Sequence, residues 1–245
     1  MRVSYASEAT PGLVNEDYVV AGPGWAVVLD GATPRPGVDG GCAHGPAWLV
    51  RRLGSELASR LAGEDGEPLP DLLAESIQSV REMHGGACDL ENRDSPSATV
   101  AILRRRDAVE WLVLADSPLV LEDGDGLRVV RDDRVDRLPD YSVEGVRAAR
   151  NSPGGFWVAS TRPEAAYEAL TGRARGVRRA ALFTDGASRL VERFGLLDWR
   201  GLLDLLEGEG PGELIRRTRE AERERDGGGA RGKRFDDATA VFVRF

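Results

Sequence analysis

Short apolar runs that start or stop on an acid constrain this chain more than any other feature. NED, residues 15–17, precedes YVVAG. AVVLDG ends on Asp30 and Gly31, WLVLAD ends on Asp116, and AALFTDG ends on Asp185 and Gly186. FDD, which closes on Asp236 and Asp237, precedes ATAVFVRF. Apolar runs of this length, bounded by Gly, Pro, Asn and Asp, read as buried strands. Each acid alone has a plain structural reading, because Asp-Gly is common in turns and Asp caps helices. Five such ends fit better as a cluster. Carboxylates stacked at one rim repel, raise each other's pKa and cost stability, and a cation removes that cost. An Asp-rich, oxygen-only set suits Mg²⁺ or Mn²⁺. Gly31, lacking a side chain, lets a backbone carbonyl approach a metal.

The rest of the chain supplies the layers. Residues 17–30 read as two strands joined by a Gly22-Pro23-Gly24 turn. Helical spacing of Trp48, Leu49, Leu53, Leu57 and Leu61 predicts a helix over 45–62, and a second covers 70–84. A strand meander follows over 97–106, 109–116, 118–123 and 127–133. EDGDGL within it lacks the ligand series of a calcium loop and reads as a hairpin turn. The pattern then predicts an irregular to helical stretch at 139–150, a strand at 154–160, a helix at 162–172 and a strand at 176–185. Helices from 186 to 226, a Gly-rich basic loop over 227–237 and a last strand at 238–245 complete the chain. Antiparallel hairpins dominate and no regular βαβ alternation appears. The expected class is α+β, with two sheets in contact and helices outside, in a single domain over 1–245.

Composition narrows the chemistry. The net charge of −8 argues against nucleic acid or an anionic membrane as partner. No apolar run reaches the length of a membrane span, and the N-terminus lacks a signal-peptide pattern, so a cytoplasmic location is expected. Cys42 and Cys88 are two isolated cysteines, which speaks against a disulfide framework, and with only two histidines, His44 and His84, a structural zinc site is not expected either. Any metal would then be held by oxygen.

The order N-E-D, apolar-D-G, S-A-T-V, A-D-S, T-D-G and D-D-A-T-A-V-F-V resembles the metal-dependent type 2C serine/threonine protein phosphatases, the PPM family. The resemblance runs from about residue 4 to the end and fits a divergent member of bacterial type. It implies a four-layer α-β-β-α sandwich of two antiparallel sheets, with two Mg²⁺ or Mn²⁺ ions at one rim and a weaker third. Asp30 would bridge two ions. Asp17 and the Gly31 carbonyl would complete one shell, with Glu16 acting through water. Asp185 and Asp236 would hold the second ion, and Asp116 with Asp185 the third. The implied activity is hydrolysis of phosphoserine or phosphothreonine on proteins by metal-activated water, carried out by a monomer.

Two positions depart from the family pattern. The His that follows the Asp-Gly pair is replaced by Ala32, and the phosphate-gripping Arg by Gly12. Asp237 stands where the family often carries Asn. His44, near the start of the first long helix, is a candidate replacement acid, and Arg35 a candidate phosphate ligand; a structural His and a solvated Arg are the competing readings. His84 reads as a capping or surface residue. The competing functions are a catalytically weakened phosphatase-like module and a phosphatase of small phosphoesters.

Overall fold

The protein is described from a computed structural model covering residues 1–32, 37–63, 66–224 and 233–245. One five-stranded sheet has the order β1 (Arg2–Glu8), β10 (Ala238–Arg244), β9 (Arg179–Phe183), β6 (Leu119–Asp123), β7 (Gly126–Val130). The other runs β2 (Asp17–Gly22), β3 (Trp25–Ala32), β4 (Ser97–Arg105), β5 (Val109–Leu114), β8 (Leu170–Ala174). Every pairing is antiparallel.

Alternation along the strands builds the layers. Val27 and Leu29 of β3 pack with α1 (Pro46–Leu61) and α2 (Leu69–Met83), while Ala26 and Val28 face the other sheet. On that sheet Ala180 and Leu182 of β9 meet them. Ala181 and Phe183 point outward to α4 (Asp185–Glu192), α5 (Trp199–Gly208) and α6 (Pro211–Glu224). Central strands buried on both faces need apolar residues at successive positions, which is why they read as unbroken runs. The result is the α-β-β-α sandwich.

Two local expectations change. Residues 154–160 form no strand; Ala159 makes only a two-bond bridge with Ala98. Gly154, at φ +78°, and the close approach of Gly155 to the Ala149 carbonyl bend this stretch back. In place of a helix over 162–172, one short 3₁₀ segment, Pro163–Glu168, hands over to β8. β8 pairs with β5 as an edge strand, and Gly172 lies flat against Trp111, so tertiary pairing overrides helical spacing there. β1 carried no clear signal, because its half-exposed residues do not alternate cleanly. EDGDGL is the β6–β7 hairpin turn, with Asp123 opposite Gly126. A short helix, α3 (Val143–Ala149), caps its own start through Ser142, which accepts from the Gly145 N–H. Among the described residues no helix is long and apolar enough to cross a membrane.

Candidate active site

Register brings the acids to one end of the sandwich. In the β2–β3 pair Asp17 lies directly opposite Asp30, and Asp30 lies opposite Thr99 of β4. In the other sheet β9 ends at Phe183, beside the start of β10 and of β6. Asp185 therefore follows one strand while Asp236 and Asp116 precede the other two, all at the same edge. Among the hydrogen bonds that tie the two rims, Thr184 Oγ1 donates to Asp17 Oδ2 at 2.9 Å, while the same oxygen accepts from the Thr239 N–H at 2.9 Å. Ala115, just before Asp116, holds φ at +65°, a strained conformation for a residue with a Cβ and one that recurs beside functional groups.

The electrostatics are those of acids without enough cations. Burial pushes the Asp17 carboxyl up to about 8, although the hydroxyls of Thr239 and Thr184 favour its charged form; Asp237 and Asp185 add to the rise. Asp30 sits well above the ordinary carboxylate range, first through burial and then through Asp17, Asp185, Asp116 and Asp236. Asp116 is raised mainly by burial. Asp185 reaches about 7 through the protein packed around it and through Asp236 and Asp116; its side chain still opens to solvent, which relieves part of that shift. Asp17, Asp116, Asp185 and Asp236 thus all lie close enough to Asp30 to raise its pKa.

Their surroundings fit a divalent cation. Asp17 Oδ1 is buried with no hydrogen-bond partner among the described residues, and such an atom costs about 1–3 kcal/mol unless something satisfies it. At Gly31 a Cβ would fall 2.6 Å from the Glu16 carbonyl and 2.9 Å from Pro46 Cβ, so only glycine lets the chain pass here. The donors are hard oxygens throughout, as Mg²⁺ and Mn²⁺ require. Asp236 is the exception in being already partnered: Oδ2 accepts from Arg189 Nη2 at 2.8 Å and Oδ1 lies 3.3 Å from Lys233 Nζ.

Neighbouring groups brace the rim. Asp237 accepts from the backbone N–H groups of Thr10 and Glu16, both at 2.6 Å, so it organises the loop before β2. The Glu16 carbonyl in turn accepts from the Gly31 N–H at 3.0 Å. Gly186 sits in the first turn of α4 because a Cβ there would strike the Asp237 carbonyl at 1.9 Å. Gly12, at φ +81° with open space around it, belongs to a turn closed by the Leu13 N–H on Thr10.

The substrate-side candidates fare differently. Arg35 lies outside the described residues. His44 stands apart from the acids, with its Nδ1 3.5 Å from the sulfurs of Cys42 and Cys88. His84 ends α2, as a capping residue should, but it is buried rather than on the surface, and it joins the same group. The expectation that Cys42 and Cys88 stand isolated is therefore overturned. Their spacing, C-x-H and then H-x3-C, held the signal, since pairs this close can present two ligands from one turn. Sequence reasoning also passed over Lys233. A cleft of about 480 Å³ beside the rim is lined by Leu13, Val14, Phe235, Lys233, Glu16 and Asp236. Burial opposes the Lys233 ammonium, but Asp236, Glu16 and Asp30 hold its pKa above the ordinary value.

A sequence profile described as protein phosphatase 2C matches residues 6–209. No curated protein matches this chain. Among solved structures, the PPM Ser-Thr phosphatase MsPP from Mycobacterium smegmatis is 17% identical, with a TM-score of 0.61, over 100% of this chain and 98% of that one. The Mycobacterium tuberculosis serine/threonine phosphatase PstP/Ppp is 20% identical, with a TM-score of 0.57, over 98% and 97%. The catalytic domain of PstP in complex with two manganese ions is 17% identical, with a TM-score of 0.58, over 98% and 96%.

Proposed function

The chain belongs to the protein phosphatase 2C family of metal-dependent protein phosphatases, and we propose that its acid rim is where the reaction occurs, with phosphoserine and phosphothreonine proteins as substrates. In this reading Asp17, Asp30 and the Gly31 carbonyl hold one Mg²⁺ or Mn²⁺, with Glu16 reaching it through water. Asp30, Asp185 and Asp236 hold a second, and Asp116 with Asp185 a weaker third. The observation that carries it is that Asp17, Asp185, Asp116 and Asp236 all act on Asp30, directly opposite an Asp17 whose Oδ1 is buried with no hydrogen-bond partner among the described residues.

Divalent cations held by these residues would supply metal-activated water near neutral pH and offset charge on the phosphoryl oxygens. The protein's own groups set the geometry. Thr184 fixes one oxygen of the Asp17 carboxylate and leaves the other without a hydrogen-bond partner among the described residues. Arg189, held by Glu222 at 2.6 Å, orients Asp236. Asp237 fixes the Glu16 loop against Gly31. Lys233 contributes a positive charge at the mouth of the cleft, in place of the Arg that Gly12 replaces. Ala32 offers no proton donor, so the proton for the leaving oxygen has to come from another group or from water. The apolar lining of Leu13, Val14 and Phe235 suits peptide side chains better than a small sugar phosphate.

The test is hydrolysis of phosphopeptides and p-nitrophenyl phosphate under Mn²⁺ titration, with calorimetric Mn²⁺ binding measured in parallel. Turnover that needs Mn²⁺ and disappears in Asp185→Asn supports the reading. Undiminished turnover and Mn²⁺ binding in that variant would remove Asp185 from the site.

A further inference from the structure

This chain has two cysteines and two histidines, and the fold brings all four to one point. Cys42 and His44 lie in the segment leading into α1. His84 ends α2, and Cys88 follows the short 3₁₀ turn Gly85–Ala87. Cys42 Sγ is 3.1 Å from Cys88 Sγ, 3.3 Å from His84 Nδ1 and 3.5 Å from His44 Nδ1, and Cys88 Sγ is 3.5 Å from His44 Nδ1. The four ligand atoms all lie within 4.8 Å of one another.

We propose that these residues form a Cys₂His₂ zinc site, separate from the acid rim and structural in role. Bond lengths of about 2.3 Å to sulfur and 2.0 Å to nitrogen put the ligand atoms of a tetrahedral zinc about 3.3–3.8 Å apart. The three sulfur–nitrogen separations fall in that range, and the sulfur pair, at 3.1 Å, would open by about 0.7 Å to reach its upper end. Two sulfurs with two imidazole nitrogens select zinc over the oxygen-seeking ions of the rim. Four protein ligands leave no open position for water, which is the mark of a structural rather than a catalytic site. Binding releases one proton from each thiol to solvent, so the two thiolates cancel the charge of Zn²⁺.

The surroundings are built for it. His44 stacks on Trp48 with ring centres 4.0 Å apart, and His84 meets the same indole edge-on at 4.8 Å, so one aromatic side chain fixes both imidazoles. The His44 N–H donates to Cys42 Sγ at 3.3 Å. The two ligand pairs are joined by the Asp89 N–H, which donates to the Gly41 carbonyl at 2.8 Å. The site would thus staple the end of α2 to the start of α1. Pro46, the first residue of α1, backs the backbone at Gly31, so the staple supports the acid rim from behind.

The experiment is elemental analysis of the intact purified protein, with Cys42→Ser, Cys88→Ser and Asp30→Asn alongside. One zinc per chain is expected in the parent and in Asp30→Asn, and loss of zinc in both cysteine variants. Because those variants could unfold, Co²⁺ is exchanged into the parent chain as a second readout. Strong visible bands of tetrahedral cobalt with near-ultraviolet thiolate charge transfer are expected, and Zn²⁺ should displace them. Absence of zinc with no such Co²⁺ spectrum overturns the proposal, as does a parent whose intact mass shows Cys42 joined to Cys88 by a disulfide. Zinc lost in Asp30→Asn but kept in both cysteine variants also overturns it, because the metal then belongs to the rim.

Discussion

Acids stand at both ends of the β6–β9 pair, and the two ends treat the charge in opposite ways. At one end Glu122, 3% exposed, accepts from Arg179 Nε at 2.6 Å and Arg200 Nη1 at 2.5 Å. Arg179 also reaches Asp204 at 2.6 Å and Glu207 at 2.8 Å. Hydrogen bonding from Arg179, against the cost of burial, holds the Glu122 pKa below its ordinary value. At the other end Asp116 before β6 and Asp185 after β9, together with Asp17 and Asp30 of the facing sheet, are all raised. A closed acid–arginine network stabilises a fold and leaves nothing for a ligand to do. Acids buried without such partners destabilise the fold, and that cost is what a bound cation recovers.

The largest test of the contrast is Asp30→Asn. A lost metal ligand removes several kcal/mol of transition-state stabilisation, so kcat/KM should fall by about 10³-fold or more. The metal-free variant should melt no lower than the parent, because the substitution removes a repelled charge. A lower melting temperature with activity intact would mean that the rim is a structural cluster like the one around Glu122.

Glu122→Gln should do the reverse. It leaves Arg200 and Arg178 without their buried acceptor, but both are more than half exposed and Arg179 keeps two other acids. The loss is therefore about 1–3 kcal/mol, below that for a fully buried pair. Denaturant unfolding would report it, while kcat and Mn²⁺ affinity of the folded fraction stay at parental values. A matching loss of Mn²⁺ affinity would show that the two ends are coupled through β6 and β9.

How much of this was readable in advance follows the same division. The rim acids announced themselves because each interrupts an apolar run, and antiparallel register then brings Asp17 opposite Asp30. The sandwich was readable because its central strands are apolar on both faces. Glu122 and Arg179 gave no signal: each lies at a strand end as an ordinary charged residue, and only the pairing of β6 with β9 sets them opposite one another. The Cys and His group stayed hidden for a related reason. Its two halves are about forty residues apart, and the contact between the start of α1 and the end of α2 is a tertiary fact. β8 was concealed by a proline-led segment whose spacing suited a helix, until pairing with β5 decided otherwise.

The two ends should also respond to pH with opposite signs. Asp17 and Asp185 have folded pKa values of about 8 and about 7, against 3.8 when unperturbed. Within that window the unfolded chain binds fewer protons than the fold, so their contribution makes stability fall as pH rises. Glu122, lowered from 4.5, contributes stability that is present above that value and lost as pH falls through its folded pKa. Thermal melts of the metal-free protein from about pH 5 to pH 8 should therefore decline with pH, and excess Mn²⁺ should flatten the decline. Glu122→Gln should leave this slope unchanged and weaken the loss of stability in acid. A metal-free slope of the opposite sign would contradict the charge assignment at the rim.

Lys233→Ala is the smallest expected effect and the one that bears on the boundary between the two kinds of network. Asp236 has an arginine, as Glu122 does, yet it also faces the cleft. Its pair with Lys233 is exposed on the lysine side, at 59%, so the pair itself adds little, about 0.2–1 kcal/mol at most. If Lys233 serves as a phosphate-side charge, its removal should raise KM for phosphopeptides several-fold and leave kcat and the melting temperature nearly unchanged. Raising ionic strength should raise the parent's KM toward that of the variant, since an exposed charge acting on a dianion is screened by salt. If instead Lys233 only neutralises Asp236, its loss should tighten Mn²⁺ binding and leave KM alone. Those outcomes differ in which ligand is affected, so calorimetry with Mn²⁺ beside steady-state kinetics decides whether this corner of the rim belongs to the substrate or to the fold.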